Sequence, residues 1–94
     1  MKHKSVLLEE LIKNLNIRED GTYVDATLGY AGHSGEVLKK LNEKGFLFAF
    51  DQDAEAIEYS TEKLSKIGSN FKIIKSNFKD MKNYIHKEVD GIMF

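Results

Sequence analysis

Two aspartates and a glycine-rich segment have residue types and spacing that could bind a nucleoside. Asp25 ends a β-branched and aromatic segment and leads directly into Thr27–Gly35, where three glycines lie three residues apart. Asp51 follows the apolar segment 46–50 and lies 22 residues after Gly29. In nucleotide-binding α/β folds, a carboxylate about 20 residues beyond such a loop accepts hydrogen bonds from ribose hydroxyls. The sequence therefore predicts a site for a ligand that contains adenosine.

The glycine spacing and the first aspartate narrow the choice of ligand. The loop has the pattern G-x-x-G-x-x-G, which differs from the dinucleotide pattern G-x-G-x-x-G, and no Gly-Lys-Ser/Thr follows it. A carboxylate at Asp25 would repel a pyrophosphate, but it suits the ammonium and sulfonium charges of S-adenosylmethionine. We therefore favour this methyl donor, and we keep a dinucleotide-binding half-domain of an oxidoreductase as the alternative.

The loop residues themselves allow two interpretations each. Asp25 could contact the donor, directly or through water, or it could hydrogen-bond to backbone amides and hold the loop in place. His33 could contact the donor or serve the start of the following helix. Asp51 could cap the next helix, although Asp53 is better placed to do so.

Alternating strand and helix patterns surround these residues. Four strands are predicted, over 22–26, 46–50, 71–75 and from Val89 to Phe94. A helix capped by Ser5 precedes the first strand, and a helix ended by Gly45 follows it. The third helix is capped by Asp53, ended by Gly68 and has its apolar side on Ala54, Ile57, Leu64 and Ile67, and a short helical stretch through Phe78, Met81 and Ile85 leads to the last strand.

This order predicts an α/β fold with about four parallel strands, in the order 3-2-1-4, and helices on both faces. The segment 46–50 is apolar at every position, which is typical of a strand covered on both faces. Parallel strands end at the same edge, so both aspartates are expected beside one crevice. Because a domain seldom ends inside an apolar strand, and four strands are few for such a sheet, we predict that residues 1–94 are the N-terminal part of a larger domain. The exposed edge of the last strand could also pair with another chain, so a non-catalytic nucleoside-binding or interaction fragment is a further alternative.

Composition excludes several classes of protein and site. The 94 residues carry 14 basic and 15 acidic side chains and no cysteine, which excludes a bulk polycation, a disulfide framework and a thiolate metal site. The longest apolar run, of five residues, is too short to cross a membrane, and we predict a cytoplasmic protein without a membrane partner. His3, His33 and His86 lack metal-ligand spacing, so no metal is expected. Four lysines could form an RNA-facing stripe or simply a solvated surface: Lys72, Lys75, Lys79 and Lys82.

Six segments, in order along the chain, carry a more specific signature than the glycine spacing alone. They are His3–Glu10, Tyr23–Gly29, Gly32–Ser34, Phe50–Ile57, Asn77–Phe78 and Val89–Ile92. Together they resemble the bacterial RsmH (MraW) family. The resemblance implies a Rossmann-like class I methyltransferase fold and an S-adenosylmethionine-dependent enzyme that methylates N4 of a cytidine in 16S rRNA of the small ribosomal subunit.

The resemblance also assigns residues to the donor site. It implies donor contacts at Ala31, Gly32 and His33, a ribose contact at Asp51 and adenine packing at Phe78. The family usually has glycine at the position of Ala31, so a positive φ there would strain the loop by about 1 kcal/mol.

The catalytic residues are expected beyond Phe94. The resemblance implies that further family segments, including the catalytic ones and an RNA-binding insertion, would follow that position. No catalytic residue is therefore predicted within this chain, which by itself is expected to be inactive.

Overall fold

The computed structural model describes residues 16–93, which form a parallel sheet with helices on both faces. The helix predicted from Ser5, and His3, lie outside the described residues. The described elements are β1 (Thr22–Asp25), α1 (Gly32–Lys40), β2 (Phe46–Asp51), α2 (Ala54–Ser65), β3 (Phe71–Lys75), a 3₁₀ turn (Phe78–Asp80), α3 (Met81–Tyr84) and β4 (Gly91–Met93).

The sheet has the strand order β3-β2-β1-β4, and every neighbouring pair is parallel. This confirms the predicted order and the α/β fold. In the register of β1 with β2, Asp25 lies opposite Ala49. Asp51 is two residues further along β2, opposite Lys75 of β3. Both aspartates therefore lie at the carboxyl edge of the sheet, with Asp51 projecting further.

Two apolar clusters pack on opposite faces of the sheet. Val37 and Leu38 of α1 pack with Leu64 of α2 against the first face. The second face is covered by the 3₁₀ turn, α3 and the segment after it. β2 contributes to both clusters, which confirms the prediction of a strand covered on both sides. The buried residues of β2 are Leu47 and Ala49 on the first face and Phe50 on the second.

α2 begins as predicted, but its fully buried side shares only Leu64 with the predicted apolar side, and the predicted Ile57 and Ile67 are partly buried against the first cluster. The Asp53 carboxylate accepts a hydrogen bond from the backbone N–H of Glu55 at 2.9 Å, which confirms Asp53 as the N-cap. Ala54 was expected on the apolar side, and it is exposed because it begins the first turn. The buried side consists of Ala56, Ser60 and Leu64, spaced four residues apart.

Gly45 does not end α1, contrary to the prediction. The helix ends at Lys40 with Leu41 as its C-cap. A Cβ atom at Gly45 would lie 2.6 Å from the carbonyl oxygen of Glu19. Glycine is therefore required here by the close approach of the chain before β1.

The last strand is shorter than predicted. It was expected to run from Val89 to Phe94, but β4 covers Gly91–Met93, and Phe94 lies outside the described residues. The strand begins late because Asp90 binds the start of β1 before regular pairing begins. Its side chain accepts a hydrogen bond from the N–H of Thr22 at 2.7 Å, and its own N–H donates to the Thr22 carbonyl at 2.7 Å. The expectation that the catalytic residues follow Phe94 concerns positions beyond this chain and stays a prediction.

No helix among residues 16–93 has the length and apolar content that a membrane span requires.

Candidate functional site

A cleft of about 270 Å³ opens at the carboxyl edge of the sheet. It brings together Asp51 and Phe78, which the family resemblance assigns to the ribose and the adenine. Gly29, Ala31, Gly32 and His33 belong to the adjoining loop and helix start rather than to the cleft wall. The lining residues are Ala26, Thr27, Phe50, Asp51, Gln52, Ser76, Asn77 and Phe78.

Asp51 is the half-exposed carboxylate of this cleft, and backbone groups fix its orientation. One oxygen, Oδ2, accepts a hydrogen bond from the N–H of Gly29 at 2.9 Å, and Oδ1 accepts one from the N–H of Asp53 at 2.8 Å. A carboxylate has about four acceptor positions, so each oxygen can accept a second hydrogen bond. The arrangement can therefore receive two vicinal hydroxyls without reorienting.

Ser60 stabilises the glycine-rich loop through a hydrogen bond to its backbone, a role that the sequence analysis did not predict. It is fully buried on α2, and its hydroxyl donates to the carbonyl oxygen of Gly29 at 3.1 Å. Together with Asp51, it engages both polar backbone groups of Gly29, which has a φ of +56°. A serine between Ala56 and Leu64 on the apolar side of a helix was the available signal, since a buried hydroxyl needs a partner.

Asp25 lies beneath the loop and outside the cleft lining. Asp25 is only 1% exposed to solvent. Oδ1 accepts a hydrogen bond from the N–H of Thr27 at 3.1 Å, and Oδ2 accepts one from the hydroxyl of Ser34 at 2.7 Å. These bonds tie the end of β1 to the first turn of α1, as the loop-holding interpretation expects. Contact between Asp25 and the donor remains a prediction.

Burial raises the pKa of Asp25 above its ordinary value of 3.8, because the charged form loses its hydration. The hydrogen bonds from Ser34 and Thr27 and the nearby His33 act in the opposite direction, while the charge of Asp51 adds to the rise. The raised pKa means that ionisation of this carboxyl is less favourable in the folded protein than in the unfolded chain.

We expect Asp25 to make the folded state less stable as the pH rises. The folded protein holds the Asp25 proton above pH 3.8, where the unfolded chain has released it, so the stabilisation present at lower pH is lost as the pH rises through the raised pKa. Asp25→Asn removes this titration, and its amide can still accept from Thr27 and donate to Ser34. Urea unfolding from about pH 4 to about pH 7 should show the wild type losing stability relative to the variant. A constant or increasing difference would contradict the prediction.

Ala31 has the positive φ that was expected to strain the loop where the family usually has glycine. It is the N-cap of α1 with a φ of +67° and is completely buried in the first apolar cluster. The whole residue is buried, and the donor contact that the resemblance implies at Ala31 stays a prediction. Gly32 is exposed and His33 half-buried, and a Cβ atom at Gly32 would meet nothing within 4 Å. The loop is therefore open on its outer side.

Alanine at the two exposed loop glycines should affect stability differently. Gly29→Ala is expected to lower the free energy of unfolding by about 1 kcal/mol, because φ is +56° although its Cβ would meet nothing. Gly32→Ala is the matched control, since neither a positive φ nor a neighbouring atom demands glycine there. Urea unfolding of both variants checks this, and an equal cost at the two positions would show that φ is not the cause.

Metal ligation has no geometric support in the part of the chain from 16 to 93. No group of three or more His, Cys, Asp or Glu side chains is arranged there to hold a metal ion. The groups on which the candidate site rests are the Asp51 carboxylate, the backbone N–H groups that orient it and the ring of Phe78.

The fold and the carboxyl-edge cleft together define a Rossmann-like methyltransferase domain. The chain superimposes on a protein described as an rRNA methylase from Clostridium thermocellum with a TM-score of 0.81 and 28% identity, covering 89% of this chain and 49% of that one. TrmN from Thermus thermophilus has the same fold, with a TM-score of 0.80 at 20% identity, over 93% of this chain and 26% of that one.

The family itself is shown by the sequence comparison. The model of the MraW methylase family matches residues 1–94, and the chain belongs to that family. It is 54% identical to ribosomal RNA small subunit methyltransferase H 2 of Agathobacter rectalis, over 98% of this chain and 31% of that protein. It is 53% identical to ribosomal RNA small subunit methyltransferase H of Mycoplasma mycoides, over 99% of this chain and 32% of that protein. The chain thus spans about a third of the length of these curated relatives.

Proposed function

We propose that this chain forms the donor-binding part of an S-adenosylmethionine-dependent methyltransferase that acts on N4 of a cytidine in 16S rRNA. The observation that carries the proposal is the Asp51 carboxylate, fixed by two backbone N–H groups and exposed in a cleft beside Phe78. Family membership supports the reaction class, and the names of the relatives support the ribosomal RNA of the small subunit as the substrate.

In this proposal the nucleoside end of the donor occupies the cleft. The ribose hydroxyls donate to Asp51, and the adenine packs against Phe78, whose ring lies edge-to-face with Phe50 at a centroid distance of 6.0 Å. The methionine end of the donor then runs towards the loop that contains Gly29, Gly32 and His33. Exposed backbone at the two glycines lets the donor approach closely, and Asp25 holds the loop from beneath through its hydrogen bonds with Thr27 and Ser34.

The reaction is a displacement at the methyl carbon. The exocyclic nitrogen of cytosine forms a bond to that carbon while the carbon–sulfur bond breaks. The electron pair of the broken bond stays on the sulfur, which gives S-adenosylhomocysteine. The nitrogen then loses a proton. The contribution proposed for the described residues is to bind and orient the donor, because alignment supplies a large part of the rate increase in such transfers.

Parallel calorimetric titrations with S-adenosylhomocysteine and NADH test the donor assignment. We expect the nucleoside to bind at least about tenfold more tightly, because a pyrophosphate would lie near the Asp51 carboxylate, on a loop without the dinucleotide spacing. Equal or tighter binding of NADH would instead support the dinucleotide-binding half-domain.

The proposal extends to the whole protein and its location. The matched relatives are about three times as long, so we propose that the 94-residue chain is the N-terminal part of the domain, that the catalytic residues follow Phe94, and that the chain alone binds the donor without turnover. Labelled methyl transfer to small-subunit RNA tests this, and robust turnover by the chain alone would refute it. A cytoplasmic location, where ribosomal RNA is modified, belongs to the same proposal. Self-association through the outer edge of β4 is a separate prediction, to be measured by light scattering.

A further inference from the structure

Charge is sharply segregated along the second half of the chain. Residues 51–62 contain five acidic residues and no basic one, whereas residues 63–87 contain seven lysines and a single acidic residue, Asp80. The net charge of the whole chain is −1, so the average conceals this concentration. We call the seven lysines the basic band: Lys63, Lys66, Lys72, Lys75, Lys79, Lys82 and Lys87.

All seven lysines are exposed, and none forms an ion pair with a residue in the range 16–93. The single acidic residue of the segment, Asp80, accepts a hydrogen bond from the hydroxyl of Ser76 at 3.2 Å. Lys63 has its Nζ 3.5 Å from the carbonyl oxygen of Tyr30, a neutral partner. No ion pair among the described residues therefore engages the basic band, although Glu62 lies beside Lys63 and Lys66, and the cations are available to an external anion.

The basic band wraps around the outer edge of the sheet at β3. Side chains alternate along a strand, and Ile73 packs on the first face while Ile74 packs on the second. Lys75 therefore lies on the side of α2, and Lys72 lies on the side of the 3₁₀ turn and α3. The remaining lysines extend the band on both sides: Lys63 and Lys66 near the end of α2, and Lys79, Lys82 and Lys87 along and after the turn.

One end of the basic band meets exposed aromatic rings beside the donor loop. Tyr30 is 56% exposed, Tyr59 is 51% exposed, and their ring centroids are 5.2 Å apart in an edge-to-face contact. Tyr59 also lines a shallow hollow of about 220 Å³ with Glu62, Lys63 and Lys66. Exposed rings flanked by lysines are the combination that proteins use to hold single-stranded nucleic acid, with bases on the rings and phosphates on the cations.

We propose that the basic band binds the phosphate backbone of the RNA substrate, with a base stacked on the Tyr30–Tyr59 pair. The inference deepens the proposed function and rests on it, because it names the surface that brings RNA to the donor loop. Charge complementarity selects the partner, since seven unpaired cations on a nearly neutral chain fit a polyanion. A band that follows a sheet edge and continues onto a helix end also suits an extended strand better than a compact ligand.

Lysines on an edge strand also have a simpler use, which is to prevent pairing with another sheet edge. That use requires charge only on β3 itself. It does not account for the lysines of α2, of the 3₁₀ turn and of α3, nor for the exposed tyrosines beside them. The two explanations also predict different measurements, because edge protection predicts self-association, and not loss of RNA binding, when the lysines are removed.

The test compares two triple variants of the 94-residue chain with equal changes in net charge. Lys72→Gln/Lys79→Gln/Lys82→Gln removes three cations from the basic band. The control, Lys39→Gln/Lys40→Gln/Lys44→Gln, removes three exposed cations at the end of α1 and in the turn after it. Fluorescence anisotropy measures binding of a labelled single-stranded RNA between about 50 and 200 mM KCl.

We expect the band variant to bind RNA at least about tenfold more weakly at the lowest salt concentration. Its slope of log K against log [KCl] should fall by about 2, because each lost phosphate contact on a single strand contributes about 0.7. The control should bind within about twofold of the wild type, since its lysines lie outside the contact surface. Tyr59→Ala should weaken binding about tenfold without changing the slope, because stacking releases no counterions.

Several outcomes would overturn the inference. Equal losses in the two triple variants would mean that only overall charge matters. No loss in the band variant would refute the RNA contact, and self-association of that variant would in addition support edge protection. Competition by polyglutamate as strong as that by RNA at equal charge would indicate an acidic protein partner. Calorimetry with S-adenosylhomocysteine separates this test from the proposed function, since the band variant should keep the wild-type affinity for that nucleoside, and failure of the wild type to bind it would refute the donor site alone.

Discussion

Asp51→Asn is expected to weaken the binding of S-adenosylhomocysteine by roughly 10- to 100-fold. The carboxylate is oriented by the N–H groups of Gly29 and Asp53, and in the proposed complex it accepts the two ribose hydroxyls. Hydrogen bonds to a charged group contribute about 1.5–3 kcal/mol, and each 1.4 kcal/mol is a factor of ten in affinity. Asparagine has a single acceptor oxygen, and its amide would turn a donor towards either a backbone N–H or a hydroxyl.

Asp53→Asn provides a matched control for this experiment. It makes the same change in charge two residues away, and asparagine caps a helix about as well as aspartate, so the hydrogen bond from Glu55 is kept. Calorimetric titration of both variants should show near wild-type affinity for Asp53→Asn and the large loss for Asp51→Asn. Similar affinities in the two variants would remove the ribose role from Asp51.

Phe50→Ala is expected to lower the free energy of unfolding by about 3–5 kcal/mol. The side chain is completely buried in the second apolar cluster, and its ring makes edge-to-face contacts with Phe78 at 6.0 Å and Tyr84 at 6.2 Å. The substitution removes the core of that face and leaves a cavity behind the cleft. A loss of this size is a large fraction of the total stability of a small domain, which is typically about 5–15 kcal/mol.

Phe46→Ala, on the same strand, tests whether burial of the ring causes the loss of stability expected for Phe50→Ala. Phe46 is half-buried, and its ring packs against the half-buried Phe48 at a centroid distance of 4.8 Å. Its truncation is expected to cost no more than about 2 kcal/mol, because the removed surface was already partly hydrated. Urea unfolding measures both variants. A cost at Phe46 equal to that at Phe50 would show that the second cluster is not a packed core.

Local patterns were sufficient for the order of the strands and for the edge of the sheet at which Asp51 lies. That prediction needed only the alternation of strands and helices, whereas Phe78, 27 positions further along the chain, was assigned to the site by the family resemblance. Parallel strands joined by helices must all end at one edge, so residues that follow different strands are brought together. The same reasoning predicted Asp53 as a cap, because capping depends on a few consecutive residues.

Interpretations that depended on distant neighbours were less successful. Gly45 was expected to end α1, but its glycine is required by the carbonyl oxygen of Glu19, which no local pattern indicates. Ser60 was not singled out, because its partner is the carbonyl of Gly29, 31 residues earlier in the chain. The first contact forms where β1 and β2 come together, and the second forms where α2 packs against the loop after β1.

The sequence by itself determined the family and the α/β architecture, and it predicted the edge of the sheet at which a nucleoside would bind, because these follow from periodicity and from ordered motifs along the chain. Only the tertiary structure decided how the two aspartates differ. Asp25 is buried with both oxygens engaged by Thr27 and Ser34, whereas Asp51 is oriented by backbone groups and remains half-exposed in the cleft. Both residues are aspartates at the end of a strand. Their exposure differs because Asp51 lies two residues further along the neighbouring strand than Ala49, the residue opposite Asp25.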